Sequence, residues 1–581
     1  MSKPTQNRDT TSLLCVRRQL RSFQPIDSSK RRGFFLIMTL VVVVMATMAA
    51  YSFTDLMLAY DESAFISTDR SQAELLVESG VDLTRLILAQ PRAVRLESGG
   101  VYNNPAMFQA ANVIPGMDAM ERGNLTILAP ALDETGQLSG LRYGLQNESA
   151  KLNLNVLPTL ETSGEALTAM TMLAGDALEQ SFGEDGASSD NLARSLLLAL
   201  PGMTEETADC ILDFIDEDDE ARDFGVESEY YESLPSPYSA KNGPLDSVEE
   251  LLLVKGVTPF LLFGADANRN GVIDPSEQQT STALQSQDGS MSLGWSAYLT
   301  VYSLENNKRD DGTPRINVNS DDLETLYADL SEALGNDDWA SFIIAYRIAG
   351  QPGAGSAAAL LGGGSDDSAE AIIPDNVWTS DKFESLDMSG GAGTELSQIL
   401  DLVGATVEVD GEEYASPFLD GPVAMALYMP ALMANVTTQD FKTMPGRINI
   451  NECPAELIRG IPLLSEEAAE GIIQARGQES DTENRKFETW PMVEGLISLD
   501  EMKLLMPIIT AGGDVYRAQI VGYFEGKNAS SRAEVVVDAT TLNPKVIYWR
   551  DLSHLGRGFD KAVLGLRAAD AMSDTMSAAT N

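Results

Sequence analysis

The chain has 581 residues, with 87 acidic against 40 basic side chains, a formal charge of −47, three cysteines and one histidine. A length of this order holds about two to four domains, and a charge this negative repels phosphate backbones while suiting a solvated surface and divalent cations. His554 has no histidine or cysteine near it, which disfavours zinc chemistry and a histidine-assisted nucleophile.

Eight basic and two acidic residues precede Phe34, so the rest of the chain carries 32 bases and 85 acids, a charge of −53. From Phe34 to Phe53 no charged residue occurs. Twenty helical residues span about 30 Å, enough to cross a bilayer, with the basic leader on the cytoplasmic side. A secretory signal fits poorly, because the obvious processing site, Gly33-Phe34, precedes the apolar run. Mixed apolar and polar positions then continue without proline to Pro91, with faces at Leu56, Ala59, Tyr60, Ser63 and at Ala73, Leu76, Val77, Gly80. One helix is expected from Phe34 to Ala89, lipid-like in its first third and amphipathic after it.

Arg31-Arg32-Gly33 before Phe34, the apolar run and the helix beyond it resemble a type IV pilin-like precursor. The resemblance implies cleavage after Gly33 by a prepilin peptidase and packing of the apolar helices in a filament. Most members have glutamate at the fifth mature position; here that position is Met38. In this the chain resembles the K-type minor pseudopilin of type II secretion, which lacks the acid, although its leader is longer than is usual. The alternative for this segment alone is a plain signal-anchor helix.

Further along, "LSGLRYGLQNE" reads as strand, and three blocks recur: "KLNLN" from Lys151, "RINVN" from Arg315 and "RININ" from Arg447. Each alternates like a short strand and ends on an asparagine suited to a turn. Helical material follows each block. Around Pro201 to Glu206 and around Gly460 to Glu467, a glycine turn leads to a hydroxyl N-cap, early acids and a second helix. These stretches resemble helix-hairpin-helix units; with "DFIDEDDE" beside one of them, protein packing is the expected use. "SVEELLLVKGVTPFLLFG" reads as a further copy of the first half.

"EYYESLPSPYSAKNGPLDSVEELLLVKG" resembles a signature of the K-type pseudopilin, with Tyr230, Tyr231, Pro237, Tyr238, Lys241, Asn242 and Gly256 in its positions. Structural roles are expected for them, since rings flanked by prolines pack a loop against helices.

"DANRNGVIDPSE" places Asp266, Asn268 and Asn270 at positions 1, 3 and 5 of an EF-hand loop, Gly271 at 6, the Val272 carbonyl at 7, Asp274 at 9 and Glu277 at 12. Those oxygen donors at that spacing suit calcium. With three carboxylates and irregular flanks, including a helix interrupted at Pro259, a lone structural loop is expected. The resembled family holds calcium in its helical domain, and by that carry-over Asp216 to Glu220, Asp223, Glu227 and Glu229 would offer a second site.

Gly350 to Asp367 is Gly/Ala/Ser-rich, "GWSAYLTVYSLE" reads as strand, and "DVYRAQIVGYF", "AEVVVDA" and "KVIYWR" read as three antiparallel strands. Cys15 lies in the leader, leaving Cys210 and Cys453 as the one pair available to the body; spacing does not tell whether it forms.

The expected fold is α+β: a long N-terminal transmembrane and spine helix, a pilin-like antiparallel sheet, and a large inserted helical domain with hairpin units. The boundaries are 1–33 leader, 34–90 spine, 91–155 first strands, 156–290 inserted helical domain with the calcium loop, 291–349 strand, second asparagine block and helices, 350–394 flexible region, 395–510 third block and hairpin, 511–560 last strands and 561–581 tail. The resemblance implies a non-enzymatic, calcium-binding minor pseudopilin at the tip of a type II secretion pseudopilus, anchored by a single pass in the inner membrane with its bulk in the periplasm. Its expected partners are other minor pseudopilins, the inner-membrane platform, the prepilin peptidase, and secreted substrate or the outer-membrane channel, with no nucleic acid. Two alternatives stay open: a type IV pilus or DNA-uptake minor pilin, and a membrane-anchored, calcium-dependent extracytoplasmic hydrolase.

Overall fold

In the computed structural model the described residues are 32–162, 189–275, 277–278, 293–350, 376–386, 388, 391–476 and 483–566. The leader up to residue 31, the small-residue stretch at 351–375 and the tail from 567 lie outside them. The chain falls into two units, 1–68 and 69–581. The first contains most of helix α1 (Arg32–Leu88), close to the expected bounds. Its apolar side chains, Met38 among them, are exposed. Among the described residues α1 is the one helix long and apolar enough to cross a membrane.

The second unit begins inside the last turns of α1. There Val77, Val81 and Leu88 face a core with Leu125, Ile127, Ile520, Val535 and Val537. That core covers one face of a seven-stranded sheet. Four strands come before the helical insertion: β1 (Ala111–Ile114), β2 (Gly123–Leu132), β3 (Leu138–Tyr143) and β4 (Gln146–Asn147). Three come after it: β5 (Val515–Phe524), β6 (Ser530–Asp538) and β7 (Lys545–Asp551). The order is β1-β2-β5-β6-β7, with β3 also on β2 and β4 also on β5, all antiparallel. Residues early and late in the chain thus meet in one sheet, as Gln519 opposite Leu128 illustrates. The alternation in the three last segments produced the expected strands. The expected strand at Gly294 to Glu305 is instead a 3₁₀ turn, Trp295–Ala297, followed by short strands at Leu299–Thr300 and Leu304–Asn306.

The insertion repeats one plan three times. Leu152–Asn153 pairs in parallel with Leu299–Thr300, Ile316–Asn317 with Val436–Thr437, and Ile448–Asn449 with Ile509–Thr510. In each asparagine strand the side-chain oxygen accepts from the backbone N–H two residues on: Asn153 from Asn155, Asn317 from Asn319 and Asn449 from Asn451, at 2.9–3.0 Å. On each partner strand the threonine hydroxyl does the same, Thr300 for Tyr302, Thr437 for Gln439 and Thr510 for Gly512. These Asx- and ST-type turns end each strand after two residues. Between the paired strands the described residues are mainly helical, so the modules run about 150–302, 315–439 and 447–512. The first therefore continues past the expected boundary at residue 290.

The second helix of each hairpin is α2 (Glu205–Ile215), α3 (Asp337–Ala349) or, in the third module, the helix Glu466–Arg476. Thr204, Asn336 and Ser465 accept from the first-turn N–H groups, and each helix opens with two acids at its positive end. At the same position counted from the cap stand Ile215, Arg347 and Arg476. Arg347 donates to the Val318 carbonyl at 2.6 Å, and Arg476 to those of Ile450 and Cys453 at 3.1 and 2.5 Å. In the second and third modules an arginine thus ties the hairpin to its own asparagine strand; the first module uses this place differently.

The expected helix interrupted at Pro259 is corrected, and the open question of the cysteines is answered. No helix runs through Val254 to Thr258: a 3₁₀ segment, Val248–Leu253, ends at extended Val254, and a new helix, Pro259–Phe263, starts on the Thr258 cap. Proline disfavours a helical residue before it, so Pro259 begins a helix here and does not interrupt one. Cys210 and Cys453 are not joined; both are buried free thiols, one on α2 and the other beside the third asparagine strand. Burial pushes each thiol up to about 11.

Candidate metal centre

Two clusters of oxygen donors lie in the first module. One is built on α2. Its apolar side, with Ala208, Ile211 and Leu212, enters the core, yet Asp209 and Asp213 are also fully buried. Arg194 pairs with Asp209 at 2.7 Å. Arg222 reaches both Asp213 and Asp216 at 2.6 Å. Glu227, also buried, has no hydrogen-bond partner on either carboxylate oxygen. One oxygen from each of Asp213, Asp216 and Glu227 lies within 4.8 Å of the others.

Three carboxylates and one guanidinium leave two negative charges in a site shielded from water. Burial, then the charges of Asp213 and Asp216, push the Glu227 carboxyl up to about 7. Burial also raises Asp213 and Asp216 against the pull of Arg222. An all-oxygen donor set with this charge and an unpartnered carboxylate fits a hard divalent cation such as calcium. Of the acids expected here, Asp216 and Glu227 are brought together; Glu217 to Glu220, Asp223 and Glu229 are exposed outside the triad. Asp213 was missed in the sequence, although it stands one helical turn before Asp216 and so shares its face.

The other cluster is the loop Asp266 to Glu277. Asp266 Oδ1 accepts from Asn270 N at 3.1 Å and its Oδ2 from Gly271 N at 2.8 Å, which folds the loop around the carboxylate. Gly271 has φ +79°, the left-handed turn expected at that position. Glu277 closes the ring from the far end, accepting from Asn268 N at 3.1 Å and Asp274 N at 2.9 Å. Asn270 Oδ1 accepts from Val272 N at 2.8 Å. Asp274 takes the side-chain amide of Asn268 at 2.6 Å and that of Asn270 at 3.3 Å. Asp266, Asn270 and Glu277 are buried, and Asn268 Oδ1 is a buried oxygen with no partner. Hydrogen bonds thus link Asp266, Asn268, Asn270, Asp274 and Glu277 within this one segment, with the Val272 N–H on Asn270. Burial pushes the Asp266 carboxyl up to about 6. This donor set also fits calcium, and an ion there would offset three carboxylates.

The aromatic signature packs beside α2. Tyr231 is fully buried, edge-on to Phe214 at 5.5 Å and stacked on Tyr238 at 5.3 Å, and its hydroxyl accepts from Lys255 N. Tyr230 meets Tyr231 edge-on and carries the Lys255 ammonium 5.4 Å over its ring. Lys241 bridges Asp246 and Glu250 at 2.7 and 2.5 Å. Asn242, at φ +43°, ties the acidic loop down through the Asp218 carbonyl. Gly256 takes φ +84°. The hairpin turn is occupied by protein too, for buried Trp295 donates its indole N–H to the Pro201 carbonyl at 2.9 Å. His554 is exposed, near Asp551.

Residues 150–262 match the family model described as type II secretion system, protein K. No curated protein matches the chain. Among solved structures, the GspK-GspI-GspJ complex from the type 2 secretion system of enterotoxigenic Escherichia coli is similar at 11% identity, covering 84% of this chain and 98% of that one with a TM-score of 0.29. The family match takes in the first asparagine strand, the carboxylate triad and the aromatic signature, and stops short of the loop at 266–277.

Proposed function

From the match of residues 150–262 to the type II secretion system protein K family model we propose that the chain is a minor pseudopilin of that family, at the tip of the pseudopilus, initiating or capping the filament during export across the outer membrane. The observation that carries this reading is the setting of the matched module. It is inserted between β4 and β5 of an antiparallel sheet whose core includes the last turns of a helix that starts as a membrane-length apolar segment.

Processing after Gly33 would leave Phe34 as the first residue, with Met38 in place of the usual acid. A neutral residue there cannot pair with a neighbour's amino terminus, which suits a subunit at one end of the filament. The apolar segment would anchor the chain in the inner membrane before assembly and leave the acidic bulk in the periplasm. Partners would be the other minor pseudopilins, the inner-membrane platform and the prepilin peptidase, with secreted substrate or the outer-membrane channel above. The role is architectural, with calcium at the Asp213, Asp216 and Glu227 triad and at the 266–277 loop as a structural ligand. The Trp295 contact at the hairpin turn supports packing over nucleic-acid binding.

Gold-labelled antibody against the second unit on pseudopili of the secreting cell tests the placement. Label at one end of each filament is expected; label along the length would remove the tip role.

A further inference from the structure

We propose that the cavity between the first helical module and the sheet binds a short organic acid, whose carboxylate pairs with the Lys151 ammonium. The three repeated blocks point both to the place and to the chemistry that fits it.

The position before each asparagine strand carries a cation: Lys151, Arg315 or Arg447. In the third module Arg447 Nη1 donates at 2.8 Å to the carbonyl of Met506, three residues before the partner strand Ile509–Thr510. In the first module Lys151 Nζ donates at 3.0 Å to the carbonyl of Ser296, three residues before Leu299–Thr300. The threonines of the partner strands match as well, Thr510 donating to Glu305 at 2.9 Å and Thr300 to Glu148. Lys151 thus stands where Arg447 stands, and Glu148 where Glu305 stands.

Their pairings differ. Arg447 holds two carboxylates, Glu305 at 2.7 Å and Glu488 at 3.0 Å, and Glu488 also acts on Arg315 in the second block. In the first module β5 brings in Arg517, which takes Glu148 together with Glu534 of β6. Lys151 is 5% exposed and forms no ion pair among the described residues, where the Ser296 carbonyl is its one hydrogen-bond partner. Glu148, Glu534 and Glu249 act on its charge without contact. An ammonium has three donors, and a buried one is costly unless it is paired.

Beside Lys151 is a cavity of about 110 Å³, room for a few waters or one short acid. Leu128 and Leu138 from the sheet and Phe263 and Leu299 from the module give it an apolar wall, which suits a hydrocarbon end. Four cations face it: Lys151, Arg269, Arg517 and Arg550. Arg517 is held by Glu148 and Glu534, while Arg550 and, at 3.8 Å, Arg269 share Glu249. The remaining acid of the wall, Asp266, turns both oxygens to N–H groups of its own loop. Outside that loop four cations thus meet three carboxylates, and the cation in excess is Lys151. A single carboxylate matches that one charge and reproduces what Glu488 supplies to Arg447.

Equilibrium dialysis of radiolabelled formate, acetate and lactate against the full chain in detergent, at fixed ionic strength, tests the site. Saturable binding of one equivalent per chain is expected for at least one of the three acids, and Lys151→Met is expected to abolish it. Ala297→Leu enlarges a side chain of the cavity wall and leaves Lys151 in place; it should abolish binding too, and it serves should Lys151→Met fail to fold. Absence of saturable binding for all three acids would overturn the proposal and leave the cavity to water. Binding that persists in both variants would assign the acid to another surface and overturn it as well.

Discussion

Gly460 lies directly against Ala199: a Cβ placed on Gly460 would stand 1.9 Å from the Ala199 Cβ. The two residues belong to the hairpin turns of the third and first modules, so these turns are packed on each other. Gly460→Ala has no strained φ to contend with, and its cost is one of overpacking, about 1–3 kcal/mol. The expected outcome is a thermal midpoint lower by about 1–3 °C, measured by calorimetry. An unchanged midpoint would mean that the modules meet loosely.

Arg517 ties the insertion to the sheet. It reaches Glu148, fully buried at the entry of the first module, and Glu534 on β6, both at 2.5 Å. Burial alone would raise the Glu148 carboxyl, but Arg517 and then Lys151 hold it below its usual range. Removing the guanidinium leaves the buried Glu148 and the half-buried Glu534 carboxylates without the cation they share. Arg517→Met is predicted to cost about 3–5 kcal/mol in chemical denaturation, and Glu148→Gln with Glu534→Gln in the same chain to recover most of it.

Lys151 gives a pH dependence of known sign. It is buried and donates to the Ser296 carbonyl at 3.0 Å; burial, then the Arg517 charge, bring it down to about 8 against the support of Glu148, Glu534 and Glu249. Between about pH 8 and the unfolded value near 10.5, the unfolded chain holds a proton that the folded chain has released. This lysine's contribution to stability therefore rises across that window. The difference in denaturation free energy between the natural chain and Lys151→Met should shift in favour of the natural chain from pH 8 to 10. A flat difference would show that Lys151 keeps its proton.

Asp213 and Glu227 face each other with Arg222 as the one cation placed on the cluster among the described residues. Glu227→Gln removes a repelled carboxylate. In EGTA the variant should melt no lower than the natural chain. In calcium the natural chain should gain about 2.7 kcal/mol at a hundred times Kd from this site, and the variant should lose that gain. Equal calcium responses would leave the triad a repulsive cluster without an ion.

The extent of legibility follows the length over which each signal accumulates. Helix α1 was readable because some fifty residues share one pattern, and β5 to β7 because alternation persists along each. The asparagine blocks were visible as words. Their partners, Leu299–Thr300, Val436–Thr437 and Ile509–Thr510, were not, since two residues carry no period and the pairing spans up to about 150 positions. The segment Asp266 to Glu277 was legible as a candidate ion loop because its oxygen-bearing residues lie within one turn-rich stretch at fixed spacing. Asp213 escaped because on α2 it reads as one acid among many, and only the fold brings Glu227 back over it. The free state of Cys210 and Cys453 likewise depends on which modules enclose them.

The most direct test of the account is the intact mass and N-terminal sequence of the protein isolated from native membranes. A chain beginning at Phe34 is the result predicted for a processed minor pseudopilin. A chain beginning at Met1 would contradict it and make α1 a permanent anchor.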